Sequence, residues 1–534
     1  MEKILNVAER AGLNIEKIIP YGRWFAKVDL GVDPAPKKAS KVVLVTAMTP
    51  TRAGEGKTTT AIALADGLNR IQQETGKRAT VALRQPSMGP VFGMKGGATG
   101  GGEASVLPKD GININFTGDI HALTAANSLI SAVIDNSIFH GNPLNIDENR
   151  VVFPRALDMN DRALREIRVG IDRKHPEGHP ETTVITAASE LMAIFCLSRS
   201  EEDFKARVDR IICAYDKDGN PVTVGQFRIS NALIKIVRDA LLPNVAQTQH
   251  GTLAFIHGGP FANIAHGCCS IRAIQYSIAV SDFCVTEAGF GSDLGGEKFM
   301  DILSPRMGIN PACVVVVGSV RSAKLQGGVS YEDLPKSDPE AVSRGARNLV
   351  HHLKSMSQFG CPVICAINGF TTDTPEELKA LKDACVQAGF DAIRCTAFAD
   401  GPDGAVDLAR AVIKASERPS DFRPLVRSGQ DLEEAIETIC RRVYGAGEVM
   451  FTSRAKEDLK TIAALNLPDL GVCIAKTPLS LTDDPKVMGA PEKFRVTISS
   501  VRVNAGAGFA VPVSGSTLLM PGLPTVPVAV DMPD

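Results

Sequence analysis

The amino-acid sequence predicts an α/β fold built on a mostly parallel sheet, with a further α/β part and a small β-rich part toward the C-terminus. Three observations lead to this prediction. Short β-branched runs alternate with segments of helical spacing, which is typical of a doubly wound parallel sheet. A glycine-bearing loop joins the first of these runs to the helix after it. The last long segment, FRVTISSVRVNAGAGFAVPVSGS, instead alternates with period two, which is typical of paired strands.

The alternation of strands and helices begins at VVLVTAMTP, a short apolar run typical of a buried strand, and TTTAIALADGLNRI after it has helical spacing. Further predicted strands are RATVALR, PACVVVVGSV, CPVICAIN and DAIRCTAF, and further predicted helices are DPEAVSRGARNLVHHLKSM, TPEELKALKDACVQAG and GAVDLARAVIKASE. One of these helices has a clear start: Thr374 is the predicted N-cap, Pro375 takes the first helical position and Glu377 closes a capping box.

The ends and boundaries of the chain give two more predictions. Apolar residues near the N-terminus recur every three or four positions, which predicts one helix reaching residue 18. These residues are Ile4, Ala8, Ala11, Ile15 and Ile18. Since 534 residues exceed what one core organises, we predict three domains, at 1–360, 361–445 and 446–534.

Composition and charge restrict the classes of partner. The net charge of −2 provides no broad basic field for nucleic acid or for an anionic membrane surface. No apolar run approaches the roughly 18 residues that a membrane span requires. The twelve cysteines show no zinc-ligand spacing, which favours buried, reduced thiols. Because the N-terminus also lacks the features of a signal peptide, the sequence predicts a cytoplasmic protein.

The segment TPTRAGEGKTTT lies between the first predicted strand and its helix, where a phosphate-binding loop is expected. Its glycines would let backbone N–H groups surround phosphate oxygens at the positive end of the helix. Lys57 would reach the β- and γ-phosphates of ATP, and the Thr58 hydroxyl would bind Mg²⁺. The motif is a variant, because Thr51 stands where the usual first glycine would be. The predicted nucleotide-binding residues, which make the fold P-loop NTPase-like, are Thr51, Arg52, Ala53, Gly54, Glu55, Gly56, Lys57 and Thr58.

Arg84 follows the second predicted strand of the sheet, at the edge where open α/β sheets bind ligands. Its guanidinium group is suited to a carboxylate or a phosphoryl group. The run from Lys95 to Gly102, shortly after it, contains five glycines. These glycines either hold their backbone against a ligand or form a mobile lid.

Three further stretches carry polar groups among glycines. FTGDIHA contains Asp119 and His121. HGGPFANIAHGCCS contains His257 and His266, which we interpret as structural hydrogen-bonding residues, because a metal site would need a third ligand. EAGFGSDLGGEKF is a charged loop that is either a solvated turn or part of a site. Its charged residues are Glu287, Asp293, Glu297 and Lys298.

Two aromatic residues, Phe370 in NGFTTDT and Phe398 in TAFADGPDG, each lie just beyond a predicted strand. Aromatic residues at strand ends often pack under a loop. Two facing rings would instead form a slot for a flat heterocycle.

Together these stretches resemble the formate–tetrahydrofolate ligases, over nearly the whole chain. The strongest matches are EGKTTT, GPVFGMKGGATGGG, FTGDIHA, HGGPFANIAHGC, EAGFGSDLGGEKF, TDT and MPGLP. The resemblance implies an enzyme of one-carbon metabolism in which ATP phosphorylates formate to formyl phosphate. N10 of tetrahydrofolate then attacks this intermediate to give 10-formyltetrahydrofolate. It also implies a monofunctional homotetramer that acts on small molecules and is activated by a monovalent cation, K⁺ or NH₄⁺.

The same resemblance implies roles for the residues singled out above. The phosphate loop would hold Mg-ATP, with Lys57 steadying the transferring phosphoryl group. Arg84 would bind formate and then formyl phosphate, and Asp119 would lie near the acceptor. Phe370 and Phe398 would stack on the two faces of the pterin. Domain 1–360 would then carry the nucleotide and formyl phosphate sites, domain 361–445 the folate-stacking rings, and 446–534 would be a C-terminal α+β domain.

The chain departs from the family's pattern at three points. Arg52 replaces the usual proline, Phe398 replaces the usual tryptophan, and the sequence stops at VAVDMPD, before the usual C-terminal tail. Two other functions stay open. One is a regulatory or assembly ATPase whose Arg52 reaches across a dimer, which leaves HGGPFANIAHGC and the two phenylalanines unexplained. The other is a folate-binding protein that has lost catalysis, against which the intact Lys57, Thr58 and Arg84 argue.

Overall fold

The computed structural model describes residues 1–51, 54–95, 99–171 and 177–530. Its strands are β1 (Ile18–Tyr21), β2 (Phe25–Val28), β3 (Lys41–Ala47), β4 (Ala79–Leu83), β5 (Gly100–Gly101), β6 (Ala104–Leu107), β7 (Ile146–Val151), β8 (Arg155–Leu157), β9 (Glu166–Val169), β10 (His179–Ile185), β11 (Ile212–Asp216), β12 (Pro221–Thr223), β13 (Asn244–Thr248), β14 (Leu253–Ile256), β15 (Phe283–Glu287), β16 (Pro311–Gly318), β17 (Val363–Asn368), β18 (Ala392–Cys395), β19 (Glu448–Phe451), β20 (Gly471–Val472), β21 (Arg495–Asn504) and β22 (Phe509–Ser514).

The α-helices are α1 (Ile4–Arg10), α2 (Lys57–Arg70), α3 (Gln72–Thr75), α4 (Met88–Pro90), α5 (Lys109–Asn113), α6 (Asp119–Phe139), α7 (Glu190–Leu197), α8 (Glu201–Asp209), α9 (Ser230–Val237), α10 (Ile271–Val280), α11 (Ser304–Met307), α12 (Val320–Gln326), α13 (Pro339–Ser357), α14 (Pro375–Gln387), α15 (Ala397–Asp400), α16 (Val406–Ser416), α17 (Leu432–Ile439) and α18 (Ser453–Ala464). Short π-helical turns span Val91–Lys95, Ser292–Gly296, Phe299–Leu303 and Cys440–Tyr444. Short 3₁₀ turns span Ile15–Lys17, Arg162–Leu164, Thr186–Ala188, Val224–Phe227, Gly401–Ala405 and Val528–Val530.

The centre of the fold is a 12-stranded sheet. Its strands β14-β4-β15-β3-β16-β17-β18 are neighbours in that order and all pair in parallel. β1, β2, β13 and the short β5–β6 pair extend one side with antiparallel pairing. The predicted α/β class with a large, mostly parallel sheet is therefore confirmed.

The sequence of β3 explains why helices cover both faces of this sheet. Val43 and Val45 pack in a core that includes Leu64 of α2, whereas Val42 and Leu44 pack in the core on the other face. Because successive residues of a strand point to opposite faces, a continuous aliphatic run buries both of them. Each fully buried side chain of this kind stabilises the fold by roughly 1.5–3 kcal/mol. β3 and the phosphate loop after it are thus held from two sides.

The predicted helix starts are also confirmed at α14. The Thr374 side chain accepts a hydrogen bond from the Glu377 backbone N–H, and the Glu377 carboxylate accepts from the Thr374 backbone N–H. Pro375 occupies the first helical position. This reciprocal capping box fixes where the chain leaves β17 and turns into α14.

The prediction of one N-terminal helix reaching Ile18 is wrong. α1 ends at Arg10, and Gly12 follows it with φ +86°, in the left-handed region that terminates helices. Ile15 is half exposed, and Ile18 is the first residue of β1. Ile15 and Ile18 keep the helical spacing by coincidence, because Ile15 lies in a 3₁₀ turn and Ile18 in a strand.

A four-stranded sheet in the order β19-β21-β22-β20 forms the C-terminal part, with its own core cluster. The period-two alternation predicted strands here, and β21 and β22 are paired in antiparallel orientation. Two three-stranded sheets, β8-β10-β9 and β12-β11-β7, lie outside the main one. β17 and β18, from the predicted domain 361–445, continue the large sheet. The three-domain division itself stays a prediction.

Two sequence predictions, on the state of the cysteines and on membrane-spanning segments, can be compared with the structure. All twelve cysteines are buried and free, as predicted. α6 alone among the described helices is long and apolar enough to cross a membrane. Its residues Ile120, Leu123, Ile130 and Ile134 pack in the main core, and 33% of its apolar window is buried.

Candidate active site

The carboxyl ends of the parallel strands meet at one edge of the large sheet, which we call the carboxyl edge. The phosphate loop leaves β3 there, Arg84 follows β4, and Glu287 ends β15. β15 lies between β3 and β4, so these three segments are side by side. Phe370 and Phe398 follow β17 and β18 farther along the same edge. The strand order thus gathers most of the predicted site residues in one place.

The phosphate loop needs both of its described glycines. Gly54 and Gly56 have φ values of +74° and +79°, which favour glycine. A Cβ atom on Gly56 would lie 2.2 Å from Nδ2 of Asn368, whose amide donates a 3.1 Å hydrogen bond to the carbonyl oxygen of Glu55. The predicted loop residues Arg52 and Ala53 lie outside the described part of the chain. Nucleotide binding by the loop stays a prediction.

The Glu55 side chain ties the loop together from inside. One carboxylate oxygen accepts a 2.6 Å hydrogen bond from the Thr51 backbone N–H and a 3.2 Å bond from the Ser322 hydroxyl of α12. The other oxygen is 3.9 Å from the Lys57 amine. Burial raises the pKa of Glu55, and Lys57 and these hydrogen bonds oppose the shift. Glu55 therefore positions the loop by contacts with its two ends and with a neighbouring helix.

Lys57, the first residue of α2, is largely buried at the carboxyl edge. Burial lowers the pKa of its amine below the usual lysine value, and the carboxylates of Glu55 and Glu287 oppose that shift. The charge of Arg84 acts in the same direction as burial. Two cations and two carboxylates are therefore close enough to influence one another.

Glu287 links the phosphate loop to Arg84. The Thr58 hydroxyl donates a 2.7 Å hydrogen bond to one of its oxygens, and Nε of Arg84 is 3.8 Å from the other. The Arg84 Nη1 group donates a long 3.4 Å bond to the Pro260 carbonyl. Its buried Nε has no hydrogen-bond partner in the described part of the chain. Arg84 thus keeps donor capacity for an anion, consistent with the prediction that it binds one.

The Thr58 hydroxyl and the Glu287 carboxylate form a donor set for a hard cation. Both ligands are oxygens, which Mg²⁺ prefers, and they are already within 2.7 Å of each other. Mg²⁺ in phosphate-loop enzymes is held by a loop hydroxyl and an acid at the end of a neighbouring strand. These two residues therefore fit Mg²⁺ carried in by a nucleotide.

The two phenylalanines lie next to each other, as a slot requires. Their ring centroids are 6.3 Å apart, and the rings are inclined by 49°. The Arg321 guanidinium group lies 5.3 Å from the Phe370 ring centre. A flat heterocycle stacked on both sides needs parallel rings about 7 Å apart, since each stacking contact takes about 3.5 Å. A rotation of Phe398, which is 45% exposed, would open that space.

Part of the glycine-rich run packs against Phe398. A Cβ on Gly101 would lie 3.0 Å from the Phe398 ring, and one on Gly102 would lie 2.0 Å from the Phe398 carbonyl oxygen. The backbone N–H of Glu103 donates a 3.0 Å hydrogen bond to the same oxygen. These glycines allow a close approach of two backbones beside the ring. Residues 96–98 of the run lie outside the described residues.

Asp119 is held in a buried ion pair, away from the contacts described above. Lys27 Nζ is 2.8 Å from one of its oxygens, and Asn244 Nδ2 donates a 2.6 Å hydrogen bond to the other. The Thr117 hydroxyl donates at 3.2 Å. Burial raises the pKa of Asp119, and Lys27 opposes the shift. A role for Asp119 at the acceptor stays a prediction, while its observed contacts order the start of α6.

The two histidines of HGGPFANIAHGCCS differ. His257 bonds the Ser270 hydroxyl at 2.6 Å and the Ala240 carbonyl at 2.7 Å, which confirms its structural role. Neither ring nitrogen of His266 has a partner in the described structure, contrary to the hydrogen-bonding prediction. Burial, followed by the positive charges of Arg306 and Lys298, lowers the pKa of His266 to about 3. It is neutral at ordinary pH.

The charged loop EAGFGSDLGGEKF is not a solvated turn, so that alternative is wrong. Asp293 is fully buried and lies 3.0 Å from the amine of Lys476, which is equally buried. Lys298 donates hydrogen bonds to the carbonyl oxygens of Ala265 and Ile474. The loop thus fastens the main sheet to the C-terminal part, while Glu287 and Gly289 lie at the carboxyl edge, where a Cβ on Gly289 would be 2.6 Å from Arg84 Nη1.

Sequence reasoning missed a polar support on α13. The Asn348 side chain accepts a 3.1 Å hydrogen bond from the Thr49 backbone N–H, and His352 bonds the Thr49 hydroxyl at 2.9 Å. The other His352 nitrogen bonds the Ser292 hydroxyl at 2.6 Å. Both residues stand four apart on the otherwise apolar face of the helix. Polar residues on a buried helix face were the signal available in the sequence.

One group of metal-ligand type occurs elsewhere among the described residues. Ligand atoms of Asp135, His179 and Glu181 lie within 4.8 Å of one another. The Arg155 guanidinium group already pairs with both carboxylates, with Nε 2.7 Å from Glu181. The arginine therefore supplies the positive charge that a metal ion would bring.

Comparison with known proteins gives a consistent result over the full length. A sequence model of the formate–tetrahydrofolate ligase family matches residues 1–533. The protein of that name from Limosilactobacillus reuteri is 46% identical over 534 residues, which cover 100% of this chain and 96% of the relative. The namesakes from Lactiplantibacillus plantarum and Acidiphilium cryptum are each 47% identical, over 99% of this chain and 96% and 95% of their own lengths. This chain belongs to the formate–tetrahydrofolate ligase family.

Proposed function

We propose that this protein uses ATP to ligate formate to tetrahydrofolate, giving 10-formyltetrahydrofolate, ADP and phosphate through formyl phosphate. The observation that carries the proposal is the convergence of Lys57 and Arg84 on Glu287 at one edge of the sheet. The two cations follow different strands, and Glu287 also accepts a hydrogen bond from the Thr58 hydroxyl. Family membership over the full length supports the same reaction.

The first step is phosphoryl transfer. A formate oxygen attacks the γ-phosphorus of ATP, and the bond to the β–γ bridging oxygen breaks, with its electron pair leaving on ADP. Such a reaction asks the protein mainly for alignment and charge neutralisation. Lys57 would neutralise charge on the γ-phosphoryl oxygens, and Arg84 would hold the carboxylate. Thr58 and Glu287 would hold Mg²⁺, which would supply further positive charge to the phosphate oxygens of the nucleotide.

The second step is acyl transfer to the folate. N10 of tetrahydrofolate attacks the carbonyl carbon of formyl phosphate, and the bond between that carbon and the phosphate oxygen breaks. Phosphate leaves with the electron pair of this bond, and N10 loses its proton. Phe370 and Phe398 would hold the pterin between them after a rotation that makes the rings parallel. Arg84 would retain the phosphate end of the intermediate meanwhile. Asp119 would act on the acceptor side by holding Lys27 and Asn244 in place.

Other properties belong to the same proposal. We assign the phosphate loop to a P-loop NTPase-like domain at 1–360, the stacking rings to 361–445 and an α+β domain to 446–534. We further propose a cytoplasmic homotetramer that is activated by K⁺ or NH₄⁺. The resemblance of the motifs to the family's pattern supports these assignments.

The test is ADP release from purified protein with Mg-ATP, measured together with 10-formyltetrahydrofolate. Reactions with formate and tetrahydrofolate together are compared with reactions lacking each. One ADP per formyl-folate, only with both substrates, is the expected result. ADP release indifferent to both would support the regulatory ATPase. Neither product, with tetrahydrofolate still bound, would support a folate-binding protein without catalysis.

A further inference from the structure

A crevice of about 690 Å³ lies between the main sheet's helices and the C-terminal four-stranded sheet. Five arginines line it, and we call it the arginine crevice. They are Arg199, Arg207, Arg210, Arg306 and Arg427. None of the residues that line it belongs to the phosphate loop or to the aromatic pair. It is therefore separate from the site to which we assign catalysis.

The charges lining the crevice do not balance. Three aspartates, Asp203, Asp301 and Asp469, line the crevice with the five arginines, and Arg199 also pairs with Asp33 at 3.8 Å. Asp203 is taken up by Arg207, whose Nε lies 2.9 Å away. Asp301 accepts backbone N–H groups of residues 425 and 426, and burial raises its pKa to about 7.

One arginine forms a rigid wall of the crevice. Arg306 donates hydrogen bonds of 2.7 Å and 2.6 Å to the carbonyl oxygens of Ala507 and Gly508, which fix its guanidinium group against the C-terminal sheet. Burial, followed by the positive charge of Arg207, lowers the pKa of Arg306 to about 10. An arginine whose charge is disfavoured by its surroundings gains from an added anion.

Two other arginines retain their donors. Arg210 and Arg427 are exposed, and their guanidinium groups make no hydrogen bond or ion pair among the described residues. They come from separate segments that both line the crevice, since Arg210 follows α8 and Arg427 precedes α17. Guanidinium forks bind carboxylate and phosphate oxygens in pairs.

We propose that the arginine crevice binds a small oxyanion carrying at least two negative charges, held between Arg210 and Arg427 against the fixed Arg306. Phosphate esters and polycarboxylates share this chemistry. The anion would bridge the main body and the C-terminal sheet. This inference does not depend on the proposed ligase reaction.

The test is calorimetric titration of inorganic pyrophosphate into the full-length Lys57→Ala protein, which weakens binding at the phosphate loop. We expect saturable binding, and at least tenfold weaker binding after the further changes Arg210→Ala and Arg427→Ala. The matched control removes two exposed arginines that do not line the crevice, Arg410→Ala and Arg418→Ala, and should keep the affinity of its parent. A parallel titration uses tricarballylate, a tricarboxylate. The probe with the higher affinity shows whether the crevice prefers phosphate or carboxylate groups.

Three results would overturn the proposal: no binding to the Lys57→Ala protein, undiminished binding to the crevice variant, or equal weakening in the control. A second measurement needs no crevice variant. Pyrophosphate should slow hydrogen exchange at residues 424–428 and 505–508 in the Lys57→Ala protein, since it joins these two segments. Unchanged exchange there would count against the site.

Discussion

Replacement of Lys57 by alanine tests the centre of the proposed mechanism. The amine of Lys57 lies 3.9 Å from Glu55 and shares the carboxyl edge with Arg84 and Glu287. The change removes one of two cations there and leaves both carboxylates. The fold should persist, because burial already raises the pKa of Glu55 and this residue can take up a proton when its partner is lost.

The magnitude follows from the charge that is lost. A phosphoryl oxygen about 4 Å from the amine, at an effective dielectric constant of about 20, interacts with it by about 4 kcal/mol. At about 1.4 kcal/mol for each tenfold in rate, this is a loss of roughly a thousandfold. Arg84 remains in the variant, and its positive charge offsets part of this loss in rate. We therefore expect kcat to fall by roughly 10²- to 10³-fold, as for other removed transition-state donors.

The assay is ADP release with formate and tetrahydrofolate, accompanied by a separate measurement of tetrahydrofolate binding. We expect turnover to fall and folate binding to stay near its original affinity. Lys77→Ala, which removes an exposed lysine beyond α3, should leave both unchanged. Turnover of Lys57→Ala within threefold of the parent would remove Lys57 from the mechanism. Equal loss of folate binding would mean that the change disturbs the fold.

Three further predictions address neighbouring groups. Arg84→Ala should raise the KM for formate and lower kcat; an effect on ATP binding alone, measured by titration, would contradict its role. Phe370→Ala should weaken tetrahydrofolate by about 1–3 kcal/mol, the usual worth of one stacked ring, and a change in KM for ATP instead would place the pterin elsewhere. Burial raises the pKa of Asp66 from 3.8 to about 6, so the folded state holds the proton more tightly than the unfolded state does. The free energy of unfolding should therefore fall as pH rises from about 4 to above 6, by up to about 3 kcal/mol. Denaturation of Asp66→Asn should show a smaller fall than the parent, because the raised pKa of Asp301 also contributes, whereas the exposed Asp403→Asn should keep the full fall; a fall of parental size in Asp66→Asn would contradict the assignment.

The elements that were predictable from the sequence are those with a local signal. β3 reads as an apolar run because both of its faces are covered, and α14 carries its start in Thr374 and Glu377. The proximity of Phe370 and Phe398 also follows from local information. Each ring comes just after a strand, and consecutive parallel strands are usually neighbours in a sheet.

What could not be predicted depends on partners distant in the chain. Asp119 reads as a polar residue among glycines, but its ion pair is with Lys27, 92 residues earlier. The loop containing Asp293 looks solvated because its charges are dense. Its burial is possible only because Lys476 arrives from the C-terminal part to neutralise it. No local sequence pattern predicts an ion pair between residues so far apart in the chain.

The strand order explains how the proposed site at this edge would bring ATP and formate together. β15 inserts between β3 and β4 although it comes some two hundred residues later in the chain. The exits of β3 and β4 are therefore two strand spacings apart, about 10 Å. Glu287, at the end of the inserted strand, bridges that gap with one oxygen on Thr58 and the other toward Arg84. A γ-phosphoryl group on one side and a carboxylate on the other would meet across this distance, each with its own cation. A strand order that placed β3 directly beside β4 would bring the two cations within about 5 Å of each other, with no acid between them.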